Sequence, residues 1–172
     1  MSCDISAGRL RACKNNLGGV ASLYLVNYVE DAFTYSVSTG LATAINPLVT
    51  VAYEYEIDGD THNLVQDFVS SKDNGTSVNT QTLTAMLKKM DASTSAQLNT
   101  LVYGKTIAVV KDRNGVYSVV GIDDGVDFNV NASTGSAKAD MNGYTLTGTA
   151  TTKALAPVLD PSTITAFLAL VD

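Results

Sequence analysis

The stretch IAVVKDRNGVYSVVG, residues 107–121, narrows the fold more than any other part of this chain. Val109 and Val110 lead into Lys111-Asp112-Arg113-Asn114-Gly115, and Val116, Tyr117, Val119 and Val120 lead out. β-branched and aromatic residues flank an Asn-Gly pair, the strongest short-range signal of a hairpin, because that pair accepts the positive φ of a type I′ turn or a G1 bulge. Asn74-Gly75 repeats the pattern between NLVQDFVSS and TSVNTQTLTAML. Each turn sets the register of two strands, and both hairpins can join a larger sheet.

The remaining elements agree with a β-rich chain. VTVAYEYEI, residues 49–57, alternates: Val51, Tyr53, Tyr55 and Ile57 face one way, Ala52, Glu54 and Glu56 the other. VASLYLVNY, residues 20–28, is apolar on both faces and reads as an interior strand. FNVNA (128–132) and GYTLTGTAT (143–151) complete the set, with Gly125, Gly135 and Gly143 at loop-like spacing. Residues 80–90 carry two patterns, a helical stripe of Leu83, Met86, Leu87 and Met90 and an alternation of Thr80, Thr82 and Thr84; the preceding turn favours strand. One helix is expected at about 92–103, capped by Ser93 or Thr94 and stopped by Gly104. Residues 36–49, without a strong period, read as a long loop. Residues 1–19 read as an N-terminal arm, and the apolar tail at 161–172 is expected to dock on a neighbouring subunit. The 172 residues fit a single domain with an ordinary core.

Charge narrows the function. A formal net charge of −6 argues against affinity for a nucleic-acid backbone, which needs clustered Lys and Arg. Glu30, Asp31, Glu54, Glu56, Asp58, Asp60, Asp67 and Asp73 crowd the stretch 30–75 against Lys72 alone. The first twenty residues instead carry Arg9, Arg11 and Lys14 against Asp4. A basic end and an acidic middle suit head-to-tail self-association, although a solvated surface of uneven sign is the plainer reading. No apolar run approaches the ~20 residues of a membrane-spanning helix, so no membrane partner is expected. The first residues, MSCDISAGRLRACKNN, have no apolar segment of a secretory leader. Cys3 and Cys13 do not make a disulfide framework and read as reduced thiols.

No chemical constellation stands out. His62 is the only histidine and sits among turn formers in DGDTHN, which suggests a surface residue rather than a general base. Asp58-Gly59-Asp60 and Asp123-Asp124-Gly125-Val126-Asp127 hint at calcium but lack the Asp-x-Asp-x-Asp-Gly loop and its distal Glu, and Asp-Gly pairs are ordinary turn chemistry. NNLGG, residues 15–19, lacks the Lys-Ser/Thr of a phosphate loop. Tyr24, Tyr28, Tyr53 and Tyr55 suggest a sugar-stacking platform less readily than core packing. The residues imply no catalytic site, no cofactor and no metal, hence a protein that is not an enzyme and works through its surfaces.

Taken in order, CDISAGRLRACKNNLGGVASLYLVNY, AYEYEID, SSKDNGTSVNTQTLTAMLKKMD, KTIAVVKDRNGVYSVVGIDDGVDF and STGSAKADMNGYTLTGTATTKALAPVLD resemble structural proteins of tailed bacteriophages, especially those of Bacteroidetes-type hosts. Within that class the pattern is most similar to a tail tube protein. The resemblance implies a β-sandwich or half-barrel of antiparallel strands with one flanking helix. It implies a virion protein, made in a bacterial cytoplasm, that forms hexameric rings stacked into a tube, with other virion proteins as partners and DNA only as passing cargo. A head–tail connector ring, a capsid decoration protein and a carbohydrate-binding module remain alternatives. For a conduit, Glu54 and Glu56 are the candidate lumen-lining acids, since they alternate against Val51, Tyr53 and Tyr55 and would repel phosphate near the wall. Asn74, Gly75, Asn114 and Gly115 are the hairpin-turn positions.

Overall fold

Both Asn-Gly pairs sit at hairpin tips in the computed structural model, which describes residues 5 and 7–172. Only the glycines take positive φ, Gly75 at 63° and Gly115 at 81°. Asn74 and Asn114 do not, so of the two turn types expected the I′ form drops out. At the second tip Asp112 caps the turn, its carboxylate accepting from the N–H of Asn114 and of Val116, both at 2.8 Å.

In chain order the elements are β1 (Val20–Asn27), β2 (Phe33–Ser36), β3 (Leu41–Ile45), β4 (Ala52–Glu56), β5 (Asn63–Ser71), β6 (Thr76–Lys88), α1 (Ala92–Tyr103), β7 (Thr106–Asp112), β8 (Tyr117–Val120), β9 (Asp127–Ser133), β10 (Gly143–Thr152), β11 (Val158–Leu159) and α2 (Pro161–Leu168). They form a seven-stranded sheet, β2-β3-β11-β8-β7-β1-β4, and a four-stranded antiparallel sheet, β5-β6-β10-β9. The fold is mainly β, a sandwich with flanking helices. The two hairpins enter different sheets, β7–β8 the larger and β5–β6 the smaller.

β1 has apolar residues on both faces because both faces are buried. Leu23 and Leu25 meet Leu83, Ala85, Leu146 and Phe128 of the smaller sheet in the inter-sheet core. Tyr24 and Val26 point the other way, into a second core with Val109, Val119, Phe33 and Phe167. Leu23, Leu83 and Leu146 are fully buried, each contributing about 1.5–3 kcal/mol by removal from water. Leu98 and Leu101 of α1 join the first core, and α1 packs against β9.

Several expectations are corrected. Residues 36–49 are not one long loop: they contain β3, which pairs antiparallel with β2 and parallel with β11. Its periodicity is faint because only Ala42 is buried, while Leu41 and Thr43 face outward. The cap of α1 is Asp91 rather than Ser93 or Thr94; its carboxylate accepts from the Thr94 N–H at 2.8 Å. There are two helices, not one. The tail at 161–172 contains α2, introduced by Asp160 as N-cap and Pro161 in the first turn, and it docks on its own chain. Phe167 is fully buried, edge-on to Tyr24 at 5.5 Å. Beyond α2, the Ala52 N–H donates to Leu170 O and the Asp172 N–H to Ala52 O, tying the tail to the start of β4. The larger sheet thus curls around α2 from β3 to β4, as a half-barrel filled by one helix.

Residues 80–90 do begin as strand. β6 runs thirteen residues, its Leu83 and Ala85 buried and its threonines facing out.

Candidate assembly surface: open sheet edges

The four-stranded sheet has one face in the core and one in solvent. Its outer face is a regular grid of hydroxyls and carboxamides. Across the strands, Asn63, Thr84, Thr147 and Asn129 form one row; Val65, Thr82, Thr149 and Asp127 the next; Asp67, Thr80 and Thr151 a third. In those rows Asp67 and Asp127 are the only charges; Lys88, at the end of β6 on the same face, is paired with Asp58. Such neighbouring threonines stabilise the strand pairs without demanding a partner.

The sheet ends at β5 and β9, each with a hydrogen-bonded strand on one side only. Among the described residues, no backbone group in the outward rows of either strand has a partner. β5 is nine residues long, pairs with β6 in unbroken register, and exposes Val65 and Val69, with Val78 beside Val69 on β6. Residues 69–78 of the hairpin extend past the last paired residue of β10, Thr152, which lies opposite Asn79.

Underneath, polar side chains hold this sheet in place. Gln81, fully buried, accepts from the Gly121 N–H at 2.9 Å and donates to Thr152 Oγ1 at 3.2 Å. Asn79 donates to Gln66, Thr152 and Ala154, and Gln66 Oε1 also accepts from the Ala156 N–H at 2.7 Å. Among the described residues the Asn79 Oδ1 is buried without a partner.

Glu54 and Glu56 are exposed on β4, an edge of the larger sheet, and not on the smaller one. Ala52 shares their face and is buried. Glu54 lies opposite Tyr24 on β1; burial first, and this carboxylate in support, raises the Tyr24 hydroxyl to about 12. On the other face of β4, Tyr53 and Tyr55 line a groove of about 880 Å³ shared with α1 and the end of β6.

The remaining candidates resolve into structure. His62, expected at the surface, is buried at 2 % exposure, its Nδ1 accepting from the Met86 N–H at 3.1 Å. It was missed because its neighbours are turn formers, while β6 closes over it from far along the chain. Asp58 pairs with Lys88 at 3.1 Å and Asp60 with Arg113 at 2.6 Å, both pairs exposed. Gly121 and Gly125 take positive φ in the turn before β9, and Asp123 accepts from the Tyr35 hydroxyl and the Lys153 N–H. Among the described residues, no three His, Cys, Asp or Glu side chains are grouped to hold a metal, and no helix is long and apolar enough to cross a membrane. The four tyrosines form no platform: Tyr24 stacks on Tyr117 at 6.2 Å in the second core, Tyr28 donates to Asp123 O, and Tyr53 and Tyr55 sit on the opposite face of the sheet. Cys13 is exposed, whereas Cys3 and Asp4 lie outside the described residues.

No family model, curated protein or solved structure matches this chain. Functional argument therefore rests on the surfaces themselves.

Proposed function

We propose that this protein is a self-assembling structural subunit whose four-stranded sheets join edge to edge into a closed ring, and that the rings serve as a virion conduit of the tail tube kind. The observation that carries the reading is the parity of the smaller sheet. Its four strands alternate in direction, so β5 and β9 run opposite ways. β5 of one copy can therefore pair antiparallel with β9 of the next by rotation alone, and repetition closes into a barrel without edges. A hexameric ring would contain about 24 such strands, four from each copy. Open strands with apolar Val65 and Val69 at the border are an aggregation hazard in a monomer, and closure removes it.

On this reading the inner wall is the threonine and asparagine grid rather than Glu54 and Glu56, which lie at an outer edge. A wall of hydroxyls and amides with two acids, whose one base, Lys88 at the end of β6, is paired with Asp58, gives a DNA backbone little counter-charge to bind, so cargo slides. A connector ring of the same virion would use the same edges; rings that stack into tubes favour the tube.

The test is electron microscopy and sedimentation of the purified chain, beside a Val65→Lys/Val69→Lys double variant. The expected result is rings or tubes from the parent and loss of closure in the variant, with the fold kept by circular dichroism. A parent that stays monomeric at high concentration would remove the reading.

A further inference from the structure

A second edge is also open, and a complementary segment of the chain lies free. At Ala52 both backbone groups point away from β1, toward the tail, where Leu170 and Asp172 take them. Because backbone direction alternates along a strand, the groups of Glu54 and Glu56 point the same way. Among the described residues nothing pairs with them. Two rungs of the ladder are thus empty beyond the one the tail fills.

The free segment is the N-terminal arm. Residues 7–19 are all exposed and without regular structure, with Leu10 at 93 % exposure. Among the described residues the arm is fastened near its end, where Asn114 grips both the N–H and the C=O of Leu17, at 2.9 and 2.8 Å. Within the arm, Arg9-Leu10-Arg11 has the same period-two pattern as Glu54-Tyr55-Glu56, with the charges reversed.

We propose that residues 9–11 of one copy add as an antiparallel strand to the β4 edge of a second copy, Arg11 opposite Glu54 and Arg9 opposite Glu56. In that register Leu10 lies opposite Tyr55, on the face that lines the groove with Tyr53, Leu87 and Leu101. The two Arg–Glu pairs are the hydrogen-bonded rungs, and Leu10–Tyr55 is the closer, non-hydrogen-bonded pair. This is strand addition at an exposed edge, with backbone bonds for affinity and alternating side chains for choice of partner. The groove's own bases each have an acid or ring beside them, Lys88 engaged by Asp58, Lys89 near the Asp91 carboxylate and Lys105 over the Tyr28 ring. The occupant is a second copy because, among the described residues of the single chain, both the arm and the edge remain unpartnered, although the arm is tethered at the same end of the sheet. The contact is separate from the β5–β9 junction and does not depend on it.

The test uses full chains carrying Cys3→Ser and Cys13→Ser, one with Leu10→Cys and the other with Tyr55→Cys. A non-hydrogen-bonded pair has the spacing a disulfide needs. Mixing under mild oxidation is expected to give a mixed disulfide at twice the chain mass, at least tenfold above a Leu10→Cys and Thr149→Cys control. Arg9→Glu/Arg11→Glu in the first chain should abolish it, and Glu54→Arg/Glu56→Arg in the second should restore it. A yield equal to the control, or no response to the charge reversals, overturns the proposal. So does a chain carrying both cysteines that closes only on itself at every concentration. Repeating the mixture in the Val65→Lys/Val69→Lys background separates the two interfaces, because the arm bond should survive there even where rings do not.

Discussion

Replacing Phe167 with alanine tests where the C-terminal tail belongs. The ring is fully buried, edge-on to Tyr24 at 5.5 Å and tilted against Phe33 at 6.3 Å. A buried Phe→Ala change costs about 3–5 kcal/mol through lost transfer energy and the cavity left behind. Here the cavity has little chance to collapse, since α2 is held at both ends. β11 pairs with β3 just before the helix, and Leu170 and Asp172 are bonded to Ala52 just after it. About 4 kcal/mol is therefore expected, or roughly 8–16 °C in Tm for a domain of this size. The assay is urea unfolding at concentrations low enough to keep the chain monomeric, followed by tyrosine fluorescence and far-UV circular dichroism. Leu168→Ala, one residue on and 43 % exposed, serves as the control and should cost under about 1 kcal/mol. If Phe167→Ala cost no more than that control and altered only assembly, the tail would belong to a neighbour and the half-barrel account would be wrong.

Other consequences follow from single contacts. Gly121 has φ 73°, and a Cβ there would lie 2.5 Å from Val126 Cγ2 and 2.6 Å from the Gly125 carbonyl carbon, so Gly121→Ala should destabilise by about 2–5 kcal/mol. Gly75→Ala, at φ 63° with open space around it, should cost about 1–2 kcal/mol in the same unfolding assay. The Tyr24 hydroxyl, raised from 10.0 to about 12 chiefly by burial, keeps its proton in the folded state after the unfolded chain has released it. Stability should hold below about pH 10 and fall as pH rises from there through about 12, and Tyr24→Phe should flatten that decline in a pH series of unfolding curves. Gln81→Leu leaves the buried Gly121 N–H without its acceptor and should cost about 1–3 kcal/mol.

The parts of the fold legible in the sequence are those with local causes. Asn74-Gly75 and Asn114-Gly115 mark their turns because glycine relieves the steric cost of positive φ at a defined place. The alternation of Glu54 and Glu56 with Tyr53 and Tyr55 was readable for the same reason, since strand period needs no distant partner. What could not be read depends on contacts far along the chain. β3 has a weak pattern of its own and is a strand because Val158 lies beside Leu41. Burial of His62 depends on Met86, and the facing of Glu54 and Glu56 depends on β4 belonging to the larger sheet. For α2, the start signal Asp160-Pro161 was present in the sequence. Its apolar face said only that something covers it, and Tyr24, Phe33 and Ala42 of the same chain do so.

The four sheet edges differ in how they are guarded, and that difference separates their roles. β2 is four residues long and broken by a register shift at Thr34 and Tyr35, both devices that discourage pairing. β4 has one rung filled by the tail and two flanked by glutamates, so it can accept only a strand bearing the opposite charge. β5 has neither defence: it is long, unbroken and apolar at Val65 and Val69, with a single acid, Asp67, between them. β9 presents Asn129 and Asn131 with a single acid, Asp127, at its start, and α1 packs against it. A long apolar edge and one with a single acid, running in opposite directions on one sheet, suit repeated pairing between copies. A charged edge suits one specific arm. On the proposed reading, one pair of edges closes the ring and another chooses the neighbour.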